Sequence, residues 1–194
     1  VTPRLPAAER RSQLVDAAMA IFAAEGYQKT TMDAVATRAG VTKPVLYQHF
    51  PSKRHLFLEL LHVVGRHLTN MVDEATAGAS SPRGQVEQGF RAYFHFVESR
   101  TDEFRLLFGE GVRIDNEFSA EVMAVEGNIA AFIAELITTD GLSDDDRLVL
   151  GHGIVGMAER TAHHWLDNGR VGSPETLAER VADLAWSGLR GRPT

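Results

Sequence analysis

Between Thr30 and Lys53 the chain collects threonine, lysine, tyrosine and histidine side chains at spacings suited to touching a nucleic acid. Thr42, Lys43, Pro44, Tyr47, Gln48 and His49 fall on the outward side of a short helix, and Val45, Leu46 and Phe50 form its apolar side. Hydroxyl and ammonium groups at the front of such a helix can donate to base edges or neutralise phosphates.

That chemistry needs the helix to be held by its back and presented by its front. Two short helices, 31–39 and 43–50, are joined by Ala39-Gly40-Val41. Glycine accepts a left-handed backbone at the turn, so the second helix can cross the first steeply. This is helix-turn-helix geometry, in which the second helix enters the major groove with its N-terminal residues facing the bases. Thr30-Thr31-Met32-Asp33 reads as a capping box, with Thr30 as N-cap and Asp33 reaching back. Thr42 is placed to cap the second helix, and Pro44 sits in its first turn, where a missing N–H costs little.

The remaining elements also read as helix, since period-two alternation bounded by strand-type turns is missing. Leu14, Ala18, Ile21 and Phe22 form the stripe of a helix over 8–25 that stops at Gly26. Ser52 caps a long helix to about Ala77, and Gly78–Pro82 is the best linker candidate. Further helices are expected near 82–100, 102–109, 117–139, 143–168 and 174–190, with breaks at Gly109/Gly111, Asp140-Gly141 and Asn168-Gly169. The expected fold is all-α, about nine helices. A helix-turn-helix domain covers 8–51, the fourth helix 52–77 connects, and a helical bundle covers 78–194. Charge divides along the same line. Residues 1–55 hold eight Lys/Arg against four Asp/Glu (+4), while the rest holds 12 against 22 (−10), giving the net −6 of the chain. A basic end on an acidic body directs phosphate binding to that end.

The run Thr30-Thr31, Val35-Ala36, Ala39-Gly40-Val41-Thr42-Lys43, Leu46-Tyr47, His49-Phe50, Ser52-Lys53 and Leu56, with Gly26-Tyr27 upstream, resembles the DNA-binding domain of TetR-family regulators. The resemblance covers about residues 10–60, in register and without insertion; Pro44 stands where the family more often carries glycine or alanine. It implies that Thr30 or Thr31 holds a phosphate, that Thr42 and Lys43 reach bases or phosphates, and that Tyr47, His49 and Lys53 contact phosphates. Lys43 and Pro44 are the residues expected to read bases. The resemblance further implies a homodimer on palindromic double-stranded operator DNA, with recognition helices about 34–36 Å apart. Repression relieved by a small molecule is the family's usual mode.

In the C-terminal part, Phe90, Tyr93 and Phe94 recur at helical spacing, and Phe104, Phe108, Phe132 and Met157 add bulk. Core packing explains such residues one by one. Together they are also candidates to line an apolar cavity for a hydrophobic effector, as bundle interiors often do. Gly153 and Gly156, with Trp165 and Trp186, suit close helix–helix approach, and the family resemblance places this helix pair in the dimer interface.

Other functions have less support. GxSxG, Walker A, GxGxxG and zinc-hydrolase motifs are missing, so an enzyme is not expected. A ligand-independent DNA-binding protein is the second alternative, disfavoured by the large aromatic C-terminal part. Glu159, His163 and Asp167 could share one helix face, but no HExxH, His-rich or cysteine cluster accompanies them; no metal or cofactor is expected. The chain has 0 Cys and no apolar run near the ~20 residues that span a bilayer, and VTPRLPAAERRS lacks the apolar stretch of a signal peptide. A cytoplasmic protein without a membrane partner is the expectation.

Overall fold

A computed structural model describes residues 6–109, 112, 115–139 and 141–190. Among them lie nine helices and no strand: α1 (Ala7–Lys29), α2 (Met32–Arg38), α3 (Lys43–His49), α4 (Lys53–Ala77), α5 (Pro82–Ser99), α6 (Thr101–Phe108), α7 (Asn116–Leu136), α8 (Asp144–Asp167) and α9 (Pro174–Arg190). The expected breaks at Gly111 and Asp140 lie outside the described residues. Compact units divide the chain differently from the 78–82 linker expectation. One unit takes residues 1–64 with 102–122, and the other takes 65–101 with 123–194. Gly78–Pro82 is therefore a turn within the second unit, and the boundary falls inside α4 at Val64/Gly65.

The first unit is built on α1, whose stripe Leu14, Ala18, Ile21 and Phe22 is buried as its periodicity requires. Glycine does not simply end this helix. The backbone kinks at Gly26 (φ 74°) and one further turn carries the chain to Lys29. From α2 come Val35 and Ala36, from α3 Leu46, and from α4 Leu56, Phe57 and Leu60, all nearly inaccessible. Each of the larger of these side chains contributes roughly 1.5–3 kcal/mol of burial. A second layer comes from far along the sequence. Phe118, at the start of α7, packs with ring centroids 4.8 Å from Tyr27 and 4.7 Å from Phe57. Arg54 closes this cluster from outside: its guanidinium lies 4.7 Å from the Phe118 ring centroid. It also donates two 2.8 Å hydrogen bonds to the Asp115 carboxylate and one to Glu117. Asp115 Oδ1 in turn accepts from the backbone N–H groups of Glu117 and Phe118, capping α7.

The second unit packs α5 along α9, with α8 against both. Its core holds Phe90, Phe94, Phe96 and Val97 from α5, Ile129 and Ala130 from α7, Ala158, Ala162 and Trp165 from α8, and Val181 and Ala185 from α9. α8 begins with a capping box: Ser143 Oγ accepts from the Asp146 N–H, and the Asp146 carboxylate accepts from the Ser143 N–H. Close contact with α7 depends on Gly151, where a Cβ would stand 2.3 Å from the Ala130 carbonyl oxygen.

Candidate nucleic-acid interface

Local chemistry sets the crossing of α2 and α3. α2 ends in a Schellman motif, the Val41 N–H donating to Ala36 O (3.0 Å) and the Gly40 N–H to Thr37 O (3.1 Å). Gly40 occupies the left-handed region (φ 65°), which a side chain would resist. α3 then starts after Thr42 with Pro44 in its first turn, and Leu46 and Phe50, both 0% exposed, fix its underside. Thr42, Lys43, Pro44, Tyr47 and Gln48 are left on the outer surface, with His49 half-buried. Tyr47 is 41% exposed, so its phenol is open to solvent on this surface.

α1 and α4 hold this pair from behind. Gln13 Nε2 donates to Ala39 O at the turn (3.0 Å). Arg11 lies 4.4 Å over the Phe50 ring, donates to His49 O and pairs with Glu59 at 2.9 Å. Neither clamp was read from the sequence, because each joins residues far apart in the chain.

Four expected positions differ in detail. Thr42 precedes α3, but its side chain makes no capping hydrogen bond. Thr31, not Thr30, is the N-cap of α2, its hydroxyl accepting from the Ala34 N–H at 3.1 Å. Thr30 is 1% exposed and donates its hydroxyl to Gly26 O at 2.9 Å, which closes the kinked turn of α1. The capping box is not made, since the Asp33 carboxylate turns instead to Lys43, at 2.9 Å from Oδ1 and 3.0 Å from Oδ2. This hydrogen bond, and then the carboxylate's charge, raise the Lys43 ammonium above the ordinary lysine pKa. Lys53 is turned inward. Its ammonium donates to the carbonyls of Tyr27 (2.9 Å), Gln28 (3.3 Å) and Thr30 (3.0 Å) and lies 4.5 Å from the Tyr27 ring centroid. All three of its N–H donors are thus engaged at the C-terminal end of α1. The exposed cluster is Thr31, Thr42, Lys43, Pro44 and Tyr47, with His49 at its edge.

The C-terminal candidates are distributed unevenly. Phe90, Tyr93 and Phe94 are buried in the second unit, where Phe132 and Met157 are half-buried. Phe104 and Phe108 belong to the first unit, their ring centroids 5.2 Å apart. Burial pushes the Tyr93 phenol well above its ordinary pKa, and the nearby Glu159 and Glu126 carboxylates add to the shift. A groove of about 300 Å³ between α5 and α9 is lined by Arg83, Glu87, Arg91, Glu179 and Asp183, and by none of the aromatic candidates. Gly153 and Gly156 are exposed on α8. Trp165 is 4% exposed, its indole donating to Gly172 O, so it has little area left for an interface; Trp186 is half-buried. His163 lies 3.6 Å from Glu159. Among the described residues no three His, Cys, Asp or Glu side chains are grouped to hold a metal, and no helix is long and apolar enough to cross a membrane.

A helix-turn-helix with an exposed recognition helix, followed by further helices in a second compact unit, defines a DNA-binding regulator. Residues 14–60 match the model of the bacterial regulatory proteins, tetR family, and residues 82–188 match that of the tetracyclin repressor-like C-terminal domain. The HTH-type transcriptional activator FasR of Mycolicibacterium smegmatis is 34% identical over 98% of this chain and 87% of its own length. Among solved structures, a TetR-like regulator from Rhodococcus sp. RHA1 superposes with a TM-score of 0.78 at 27% identity, over 97% of this chain and 100% of the other. FadR from Bacillus subtilis, solved with stearoyl-CoA, shares the fold at TM-score 0.78 and 18% identity, over 91% of this chain and 98% of the other. The chain belongs to the TetR family: it is a DNA-binding transcriptional regulator, not an enzyme.

Proposed function

We propose that this regulator binds a palindromic operator as a homodimer through α3 and leaves it when a small hydrophobic molecule enters the C-terminal bundle. The observation that carries the DNA part is the polarity of α3. Leu46 and Phe50 anchor it completely, while Thr42, Lys43, Pro44 and Tyr47 stand outside. Lys43 and Pro44 read bases; Thr31, Thr42, Tyr47 and His49 set register on the phosphates. Lys53 and Thr30 are left out of this set because their polar groups are used within the domain.

Dimerisation is supported by a stripe on α8, Val149, Gly153 and Gly156, and by Leu184 on α9; Val149 is 71% and Leu184 64% exposed. Exposed apolar and small residues on both helices favour a helical partner face. Effector binding falls to the second unit, around Phe90, Tyr93, Phe94, Phe132 and Met157. Long-chain acyl-CoA is the first class to try, given the ligand of the FadR relative in fold. The effector shifts the dimer between two spacings of α3, and α4, which contributes to both compact units, carries the shift. Differential affinity of ~1–3 kcal/mol suffices for such coupling. The protein works in the cytoplasm, where the DNA is.

The test starts with a duplex enriched by the protein from a randomised pool. Lys43→Ala and Tyr47→Ala should each weaken binding about tenfold with the melting temperature unchanged, the loss of roughly one good contact; wild-type affinity in both would overturn the assignment. Stearoyl-CoA should raise the melting temperature and release the duplex, whereas coenzyme A alone should do neither. A specific observation favours a second reading of the output: FasR, 34% identical over 98% of this chain, is named an activator. A reporter driven from the enriched site, with and without the regulator, separates repression from activation.

A further inference from the structure

Lys43, the first residue of α3, does not approach DNA as a free cation. Its ammonium is held between the two carboxylate oxygens of Asp33, at 2.9 and 3.0 Å, and Asp33 sits in the first turn of α2 on the same exposed surface. Both side chains are open to solvent, at 67% for Asp33 and 50% for Lys43, so burial does not force the pairing. Asp33 is also a carboxylate on a surface that has to meet phosphates, which costs affinity for any duplex.

We propose that Asp33 is a specificity-determining residue: it orients Lys43 toward its base contact and suppresses sequence-independent binding by repelling phosphate. The proposal rests on the reading of α3 as the recognition helix. Its logic is that of discrimination by an unfavourable element. Off-site, the ammonium stays neutralised by its partner and the backbone meets one cation fewer. On the operator, the same pair sets Lys43 in the one direction that satisfies it.

The experiment measures affinities of the full-length protein for the enriched duplex and for a scrambled duplex of equal length, across a salt series. Asp33→Asn should tighten scrambled-duplex binding several-fold and steepen its salt dependence by about 0.9 in log–log slope, one additional counterion released. Operator binding should be unchanged or weaker, so the specificity ratio falls about tenfold, the scale of one well-made base contact. Asp33→Glu, which keeps the charge, should restore most of the ratio. In a Lys43→Met background Asp33→Asn should tighten operator and scrambled duplex alike and leave their ratio unchanged, an outcome that loss of a stabilising helix-start charge would not produce. Equal weakening of both duplexes by Asp33→Asn, or a ratio within twofold of wild type, overturns the proposal. Failure of the wild type to prefer its enriched duplex, with Lys43→Met silent, overturns the reading of α3 and this proposal with it.

Discussion

Lys53 has its ammonium within hydrogen-bonding distance of three carbonyls at the end of α1 and close over the Tyr27 ring. A lysine so held acts as a cap on α1, where a cation also suits the negative end of the helix dipole. Lys53→Met should therefore lower the melting temperature yet leave the salt slope of duplex binding unchanged. Lys43→Met should do the reverse, weakening binding of the enriched duplex with the melting temperature unchanged. A reduced slope for Lys53→Met would return this residue to the phosphate contacts. Arg54, its neighbour, binds Asp115, whose carboxyl is held below its ordinary range first by the Arg54 hydrogen bond, then by the backbone N–H groups of Phe118 and Glu117. A carboxylate with a depressed folded pKa contributes stability above its unfolded pKa and loses it as pH falls through the folded one. The stability difference between wild type and Asp115→Asn should thus be full at pH 7 and shrink below about pH 4, as followed by denaturant titration.

At the scale of the element, the start of α7 depends on Phe118, 1% exposed between Tyr27 and Phe57. Phe118→Ala should cost about 3–5 kcal/mol in denaturant unfolding, the usual range for emptying a packed aromatic site. Helix contacts in the second unit offer a sharper contrast. Gly151→Ala would place a methyl 2.3 Å from a backbone oxygen of α7 and should destabilise by ~1–3 kcal/mol, since backbone cannot yield as a side chain would. Gly153→Ala meets nothing within 4 Å in the protomer and should stabilise an isolated α8 by up to about 1 kcal/mol. Stabilisation by Gly151→Ala in thermal unfolding would refute this account of α8 packing.

For the whole molecule, the exposed stripe on α8 and α9 is the feature that one protomer leaves unexplained. Leu184→Glu should halve the mass seen in sedimentation and weaken operator binding through lost avidity, while an isolated helix-turn-helix contact persists at high protein concentration. An unchanged mass would remove the stripe from the interface. The acidic remainder of the chain fits this arrangement, because charge of the same sign as DNA keeps everything but the α3 face away from the duplex.

Nearly all the helices were legible in the sequence, since the signals that start and stop them act over three to five residues. Pro44, Ser52 and Gly40 each speak for a neighbouring turn of backbone, and the stripe Leu14, Ala18, Ile21 and Phe22 marks a buried face by period alone. The exposed front of α3 followed from the same periodicity. What the sequence left undecided was which polar group finds which partner. Asp33 was equally able to cap its own helix or to reach Lys43. Lys53 could have faced solvent or the carbonyls of α1. The partners of Arg54 lie more than sixty residues onward. A hydrogen-bonding side chain accepts any partner of the right charge within reach, and only the folded chain determines what is within reach.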